Sequence, residues 1–234
     1  MKKPVKIFRP QLFLHQRKWY KTNFRANMSR IRVHQHVNPL ARHYLFISPP
    51  LNLKEIFANP DLPVHLDIGS ARGRFLLSMA ELDKETNFIG LEIRRVLVDE
   101  ANRIARERNL TNLHYEFTNV LVSLKSLLQD FPENILKTIT IHFPDPWFKK
   151  RHAKRRMITD ENASILAFHL AKGGRIFLQT DVEFLAEEIA GKFREIKNLK
   201  EISITESPFP VKTEREKAVE AKGKPIYRFM FEKI

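Results

Sequence analysis

From Val64 onward the apolar positions switch repeatedly between a two-residue and a 3.6-residue period. The spacing predicts strands over 64–68, 87–93, 113–117, 137–143 and 175–179, each a short run rich in aliphatic or aromatic side chains. Between them it predicts helices over 74–82, 95–108, 121–128, 159–170 and 181–193. Thr159 or Asp160 is a candidate N-cap for the fourth helix, and Gly173-Gly174 is a stop signal after it. Two last strands fit 201–205 and 226–232, separated by a long polar stretch. Repeated β-α alternation builds a parallel sheet with helices on both faces. The expected class is therefore α/β: one doubly wound, mostly parallel, seven-stranded Rossmann-like domain over 55–234, preceded by a basic extension over 1–54.

Composition narrows this picture. The 234 residues are 43% hydrophobic, enough for one sizeable core. No apolar run approaches the roughly 18–20 residues that span a bilayer. There is no cysteine, which excludes disulfides and thiolate chemistry and is compatible with the cytoplasm. The net charge of +14 is unevenly spread, since the first 54 residues hold twelve Lys/Arg and no acid. A polyanionic partner follows, because each neutralised phosphate releases condensed counterions. Pro4, Pro10, Pro39, Pro49 and Pro50 break any long membrane-surface helix in this segment. An Arg-rich start also resembles a transit peptide, but serine is scarce here, while Trp19, Tyr20, Phe24 and Tyr44 read as packing or stacking residues.

The most informative stretch is His142-Phe143-Pro144-Asp145-Pro146-Trp147-Phe148-Lys149-Lys150-Arg151-His152-Ala153-Lys154-Arg155-Arg156. It follows the predicted fourth strand, at the carboxyl edge where open α/β sheets hold their ligands. Asp145 stands between two prolines that restrict the turn. A fixed acid beside an aromatic and a run of cations fits a site that modifies a nucleic-acid base. A solvated basic loop with a turn-forming Asp-Pro is the alternative for the cationic run alone.

The first strand ends in Leu66-Asp67-Ile68-Gly69-Ser70-Ala71-Arg72-Gly73. A dinucleotide fingerprint needs glycines at the first, third and sixth loop positions, and here these are Gly69, Ala71 and Arg74. The pattern instead resembles the first motif of S-adenosylmethionine-dependent methyltransferases, whose ligand carries an ammonium and a sulfonium beside which a carboxylate such as Asp67 is sensible. Glu92 ends strand two, where an acid can accept both ribose hydroxyls. Asn119, after strand three, reads equally as an adenine contact and as a turn cap.

Taken together, the motifs resemble the bacterial tRNA (guanine-N7-)-methyltransferase family, from about Arg30 to the C-terminus. The resemblance rests on 66–75, 88–92, 143–156, Gln179-Thr180-Asp181, Lys212-Thr213-Glu214-Arg215-Glu216 and Gly223-Lys224-Pro225-Ile226-Tyr227-Arg228. It implies a methyltransferase fold that uses S-adenosylmethionine as methyl donor and tRNA as substrate. Asp67, Gly69, Gly73, Glu92, Asn119 and Asp145 would hold the donor, with Asp145 also catalytic. Lys149, Asp181, Thr213, Glu214, Arg215 and Glu216 would bind the RNA. The chain departs from the family's usual residues at Asp67, Ala71, Asn119 and Arg215, where glutamate, glycine, aspartate and tyrosine are common.

Guanine N7 carries a lone pair and no proton, so its methylation needs positioning and charge stabilisation rather than a strong base. Trp147 or Phe143 could stack on the base, or pack the turn. Asp181 also reads as an N-cap, Thr213–Glu216 as a surface loop, and His142 as a buried or turn-facing structural histidine. His34, His36 and His43 lack acid partners, so no metal site is expected. Methylation of an exocyclic amine is the rival chemistry, but Asp145-Pro146-Trp147 lacks the second proline of the Asp/Asn-Pro-Pro-aromatic motif common there. A non-catalytic RNA-binding protein on the same fold is the rival of another class.

Overall fold

The computed structural model describes residues 37–234; most of the basic extension expected over 1–54 lies outside the described residues. The described chain runs α1 (Leu53–Ile56), β1 (Val64–Ile68), α2 (Arg74–Leu82), β2 (Asn87–Glu92), α3 (Arg95–Glu107), β3 (Leu113–Phe117) and α4 (Val120–Leu128). It continues with β4 (Leu136–His142), α5 (Asp160–His169), β5 (Leu170–Thr180), α6 (Glu183–Arg194), β6 (Leu199–Ile202), α7 (Glu214–Glu220) and β7 (Tyr227–Lys233). The strands form one sheet in the order β3-β2-β1-β4-β5-β7-β6. Neighbours from β3 to β5 pair in parallel, and β7 runs antiparallel to both β5 and β6. The winding reverses between β1 and β4, so a ligand crevice opens beyond the carboxyl ends of these two strands.

Strand alternation gives the sheet two unlike faces. Leu66 and Ile68 of β1, Ile139 and Ile141 of β4, and Ile176 and Leu178 of β5 join one aliphatic core with Leu124, Leu166, Leu185 and Ile189 of α4, α5 and α6. The intervening residues His65, Asp67, Thr140 and Gln179 are buried polar groups on the opposite face. There they are interleaved with an aromatic cluster of His65, Phe75, His142, Phe177 and Phe209. Apolar burial drives the first face, whereas the second must also satisfy every polar atom it encloses.

Three details differ from the sequence expectation. The core takes in Leu51, Leu53 and Phe57, and Ser48 hydrogen-bonds Ser123 and Thr118, so a boundary at residue 54 falls inside α1. Gly173-Gly174 does not end a helix: α5 stops at His169, where Lys233 Nζ donates to the carbonyls of Phe168 and Leu170, and β5 starts at once. The polar stretch before β7 contains α7, opened by a reciprocal capping box between Thr213 and Glu216.

Gly73 bears directly on the crevice. Its φ is +70°, and a Cβ there would lie 2.6 Å from the Tyr115 ring, whose hydroxyl donates to the Gly73 carbonyl at 2.5 Å. Gly73→Ala combines left-handed backbone strain with overpacking, a cost of about 2–4 kcal/mol. We expect its thermal midpoint to drop by on the order of 10 °C in calorimetry, and an unchanged midpoint would refute this packing.

Candidate active site

Asp67 is buried in β1, with Thr140 Oγ1 donating to its Oδ1 at 2.6 Å and His65 Nε2 lying 3.0 Å from the same hydroxyl. Burial pushes the Asp67 carboxyl up to about 7; the Thr140 bond opposes the shift and the Glu92 charge adds to it. His65 and His142 are held neutral by desolvation, each lowered to about 3, the second also by the nearby His65. His142 Nε2 stands 3.9 Å from Asp67 Oδ1 and has no hydrogen-bond partner among the described residues, and the buried Ser70 Oγ in the adjoining loop has none among them either. Buried polar atoms without partners are uncommon and mark places where a ligand can supply one.

The end of β2 adds a second carboxylate. Glu92 is 4% exposed; its Oε1 accepts from Arg94 N at 3.0 Å and Arg94 Nε at 2.8 Å, and its Oε2 from Ala71 N and Arg94 Nη2, both at 2.9 Å. The fork thus closes the glycine loop from below. Burial pulls the Arg94 guanidinium down, but the Glu92 bond and charge outweigh it, and Asp145 contributes in the same direction. The structure therefore brings Asp145 and the end of β2 within electrostatic reach. Asn119 is engaged within the protein itself. Its Oδ1 caps α4 through Leu121 N, and its amide donates to the carbonyls of Pro39 at 2.9 Å and Tyr44 at 3.0 Å. Both amide hydrogens are used to hold the segment before the core.

The turn after β4 is clamped from both sides. Phe143 and Trp147 adopt positive φ of 47° and 44°, and Phe143 N donates to Gln179 O at 2.7 Å. Arg156 donates to the carbonyls of Pro146 at 2.9 Å and Trp147 at 3.3 Å and pairs with Glu188 of α6. Asp145, half-buried between these clamps, has little freedom to move. Trp147 lies under Arg155, 4.9 Å from its ring centroid, with His152 at its edge. Lys149, exposed, precedes the short 3-10 turn Lys150–Arg155.

The remaining candidates meet around α7. Asp181 accepts from Arg215 at 2.6 Å instead of capping α6, whose N-cap is Val182. Glu214 pairs with Arg74, the first residue of α2, at 2.9 Å, which ties α7 to the glycine loop. Glu216 is fully buried. It accepts from Thr213 N at 3.3 Å, Gln179 Nε2 at 3.1 Å and Arg228 Nη2 at 3.1 Å, while Gln179 Nε2 also approaches His142 Nδ1 at 2.9 Å. Thr213 to Glu216 is thus not a free surface loop. The spacing Thr-x-x-Glu spelled the capping box. The roles of Arg94 on Glu92, Arg156 on Glu188, and Gln179 and Arg228 on Glu216 are not visible in strand alternation, which does not say which polar groups meet.

These residues fit an S-adenosylmethionine site: two carboxylates end adjacent strands beside an open glycine loop, an unpartnered hydroxyl lies within that loop, and no phosphate-binding glycine pattern is present. Fold and site together define a methyltransferase of the S-adenosylmethionine-dependent class. A family model described as "Putative methyltransferase" matches residues 61–229. The tRNA (guanine-N(7)-)-methyltransferase of Trichormus variabilis is 48% identical over 208 residues, covering 87% of this chain and 97% of that protein. That of Synechococcus elongatus is 48% identical over 207 residues, with the same two coverages. Among solved structures, the aminoglycoside resistance methyltransferase NpmB1 superposes with a TM-score of 0.50 at 16% identity, over 78% of this chain and 90% of that one, a likeness of fold alone. The chain belongs to the tRNA (guanine-N(7)-)-methyltransferase family.

The buried titratable groups set a pH response. His65 and His142 are depressed in the fold, so their contribution is present above about 6.5 and is lost as pH falls toward 3. Asp67 is raised, so its contribution is present below 3.8 and is lost as pH rises toward 7. Between pH 4.5 and 6 the two histidines outweigh the single acid. We expect His142→Leu to reduce the rise of unfolding free energy across that window by about one proton's worth in denaturant titrations. An unaltered slope would show that His142 is not held neutral.

Proposed function

We propose that this chain transfers the methyl group of S-adenosylmethionine to N7 of a guanine in tRNA, in the cytoplasm. The observation that carries the reading is Asp145, clamped at the β1/β4 switch point within electrostatic reach of the Glu92–Arg94 fork and followed by a row of exposed cations. When bound, the donor supplies an electrophilic methyl on a sulfonium, so the forming N7–C bond replaces the breaking C–S bond. Glu92 accepts from the ribose hydroxyls once Arg94 yields part of the carboxylate, and Asp67 and the Gly69 and Gly73 backbone line the donor's other side. Asp145 accepts from the guanine amino edge and offsets the positive charge that develops on the purine, a stabilisation that needs no proton transfer. Asn119 serves by fixing α4 and the 39–44 segment beside the donor.

On the RNA side, Lys149 meets a phosphate, and Asp181, Thr213, Glu214 and Arg215 form a polar rim. Glu216 holds that rim from inside. Arg215, where tyrosine is usual, replaces stacking with the ion pair to Asp181.

Asp145→Asn keeps the turn and one acceptor but removes the charge. We expect single-turnover methylation to slow by tenfold or more while tRNA and donor affinities change less, the mark of an interaction made in the transition state. A wild-type single-turnover rate would remove Asp145 from the chemistry. Glu92→Gln preserves an acceptor for Ala71 N and loses charge; calorimetry should show donor binding weaker by about 1.5–3 kcal/mol. Equal affinity would mean that Glu92 serves only to close the loop.

A further inference from the structure

Two exposed phenylalanines stand together beside the catalytic turn. Phe148 is 71% exposed and Phe184, on the first turn of α6, is 45% exposed; their centroids are 5.9 Å apart at 58°. A lone exposed phenylalanine is unremarkable, but an adjoining pair in a polar rim asks for a partner. The backbone presents Phe148 outward because Trp147, at positive φ, turns inward to Arg155 and His152. Phe184 is fixed from beneath by Arg156, whose guanidinium lies 5.2 Å from its centroid.

The charges around the pair decide what can cover it. The acids on the same helix are occupied: Glu188 pairs with Arg156, Glu187 with Arg194, and Glu183 hydrogen-bonds Tyr227. Lys149, Lys150, Arg151 and Lys154 follow Phe148 in the 3-10 turn or just before it, all exposed, and none forms an ion pair among the described residues. Two rigid rings, the first followed directly in the chain by exposed cations with no ion pair among the described residues, suit a group with a flat π-face on a polyanionic backbone.

We propose that Phe148 and Phe184 form a stacking platform for one unpaired nucleobase of the RNA substrate, distinct from the target guanine, while the neighbouring lysines take its flanking phosphates. This rests on tRNA being the substrate and adds a positioning contact that Trp147, already engaged, does not provide. Base-aromatic stacking contributes about 1–3 kcal/mol per base and is insensitive to salt, whereas each phosphate contact appears in the salt slope.

The test uses the full chain, filter binding to tRNA at several salt concentrations, and the variants Phe148→Ala/Phe184→Ala and Phe148→Trp. The double alanine variant should bind roughly 5- to 150-fold more weakly with an unaltered salt slope, and Phe148→Trp should stay within about twofold of wild type. Because Phe184 also packs on Arg156, Phe148→Ala alone, with an unchanged melting curve, should show at least part of the loss. Unchanged affinity in the double variant overturns the platform, as does a flatter slope, which would mean lost phosphate contacts. Sedimentation showing a wild-type dimer that the double variant loses, at equal tRNA affinity, would assign the patch to a second copy and also overturn it. A wild-type chain that neither binds nor methylates tRNA would instead sink the underlying reading together with the platform.

Discussion

One carboxylate without access to water, that of Glu216, ties the catalytic face together. It bonds Gln179 of β5 and Arg228 of β7, and closes the capping box that starts α7. Through Gln179 the same network reaches His142 at the end of β4, and from there stands 3.9 Å from Asp67 on β1. A buried charge is tolerated only when its lone pairs are filled, and removing one partner leaves the others uncompensated. The network therefore acts as a single device: β1, β4, β5, β7 and α7 are held in one arrangement, and the glycine loop, the Asp145 turn and the polar rim occupy fixed places relative to each other.

The contrast between the sheet's faces follows from this division of labour. The aliphatic face under α4, α5 and α6 is dry and supplies most of the burial energy. The other face gives up part of that energy to polar groups, and its net stability depends on hydrogen bonds being made rather than on area. Two of its buried atoms, Ser70 Oγ and His142 Nε2, lie beside the crevice with no hydrogen-bond partner among the described residues.

Electrostatics in the site is similarly partitioned. Glu92 and Arg94 neutralise each other, Asp181 and Arg215 do the same at the rim, and Lys149, Lys150, Arg151 and Lys154 after Asp145 are exposed and form no ion pair among the described residues. Acidic groups thus gather at the carboxyl ends of β1 and β2, and basic groups on the turn after β4. Asp145 and the first of these cations, Lys149, are only a few residues apart in sequence, separated by the Pro146-Trp147 turn that Arg156 clamps.

Period and punctuation alone determined the β-α order, and helix α2 and strands β1 and β3 fall where the apolar spacing put them. The carboxyl-edge placement of Gly69, Glu92 and Asp145 followed too, because each comes directly after a recognisable strand and topology sends strand ends to one side. The structural role of His142 was also legible, since it alternates with Ile141 and Phe143 at the end of a strand. Tertiary structure alone decided what these groups touch. The Asn119 cap on α4 is local, but its amide hydrogens found the Pro39 and Tyr44 carbonyls, which lie 80 and 75 residues away in the chain. Glu216 went inward because Gln179 and Arg228, on antiparallel neighbours, offered it donors. Trp147 turned away from the surface while Phe148 remained on it, an outcome set by Arg155 and by backbone sign at one residue. Local spacing specifies which element a residue joins, but long-range partners choose between the roles that residue can play, and those partners are brought together only by the fold.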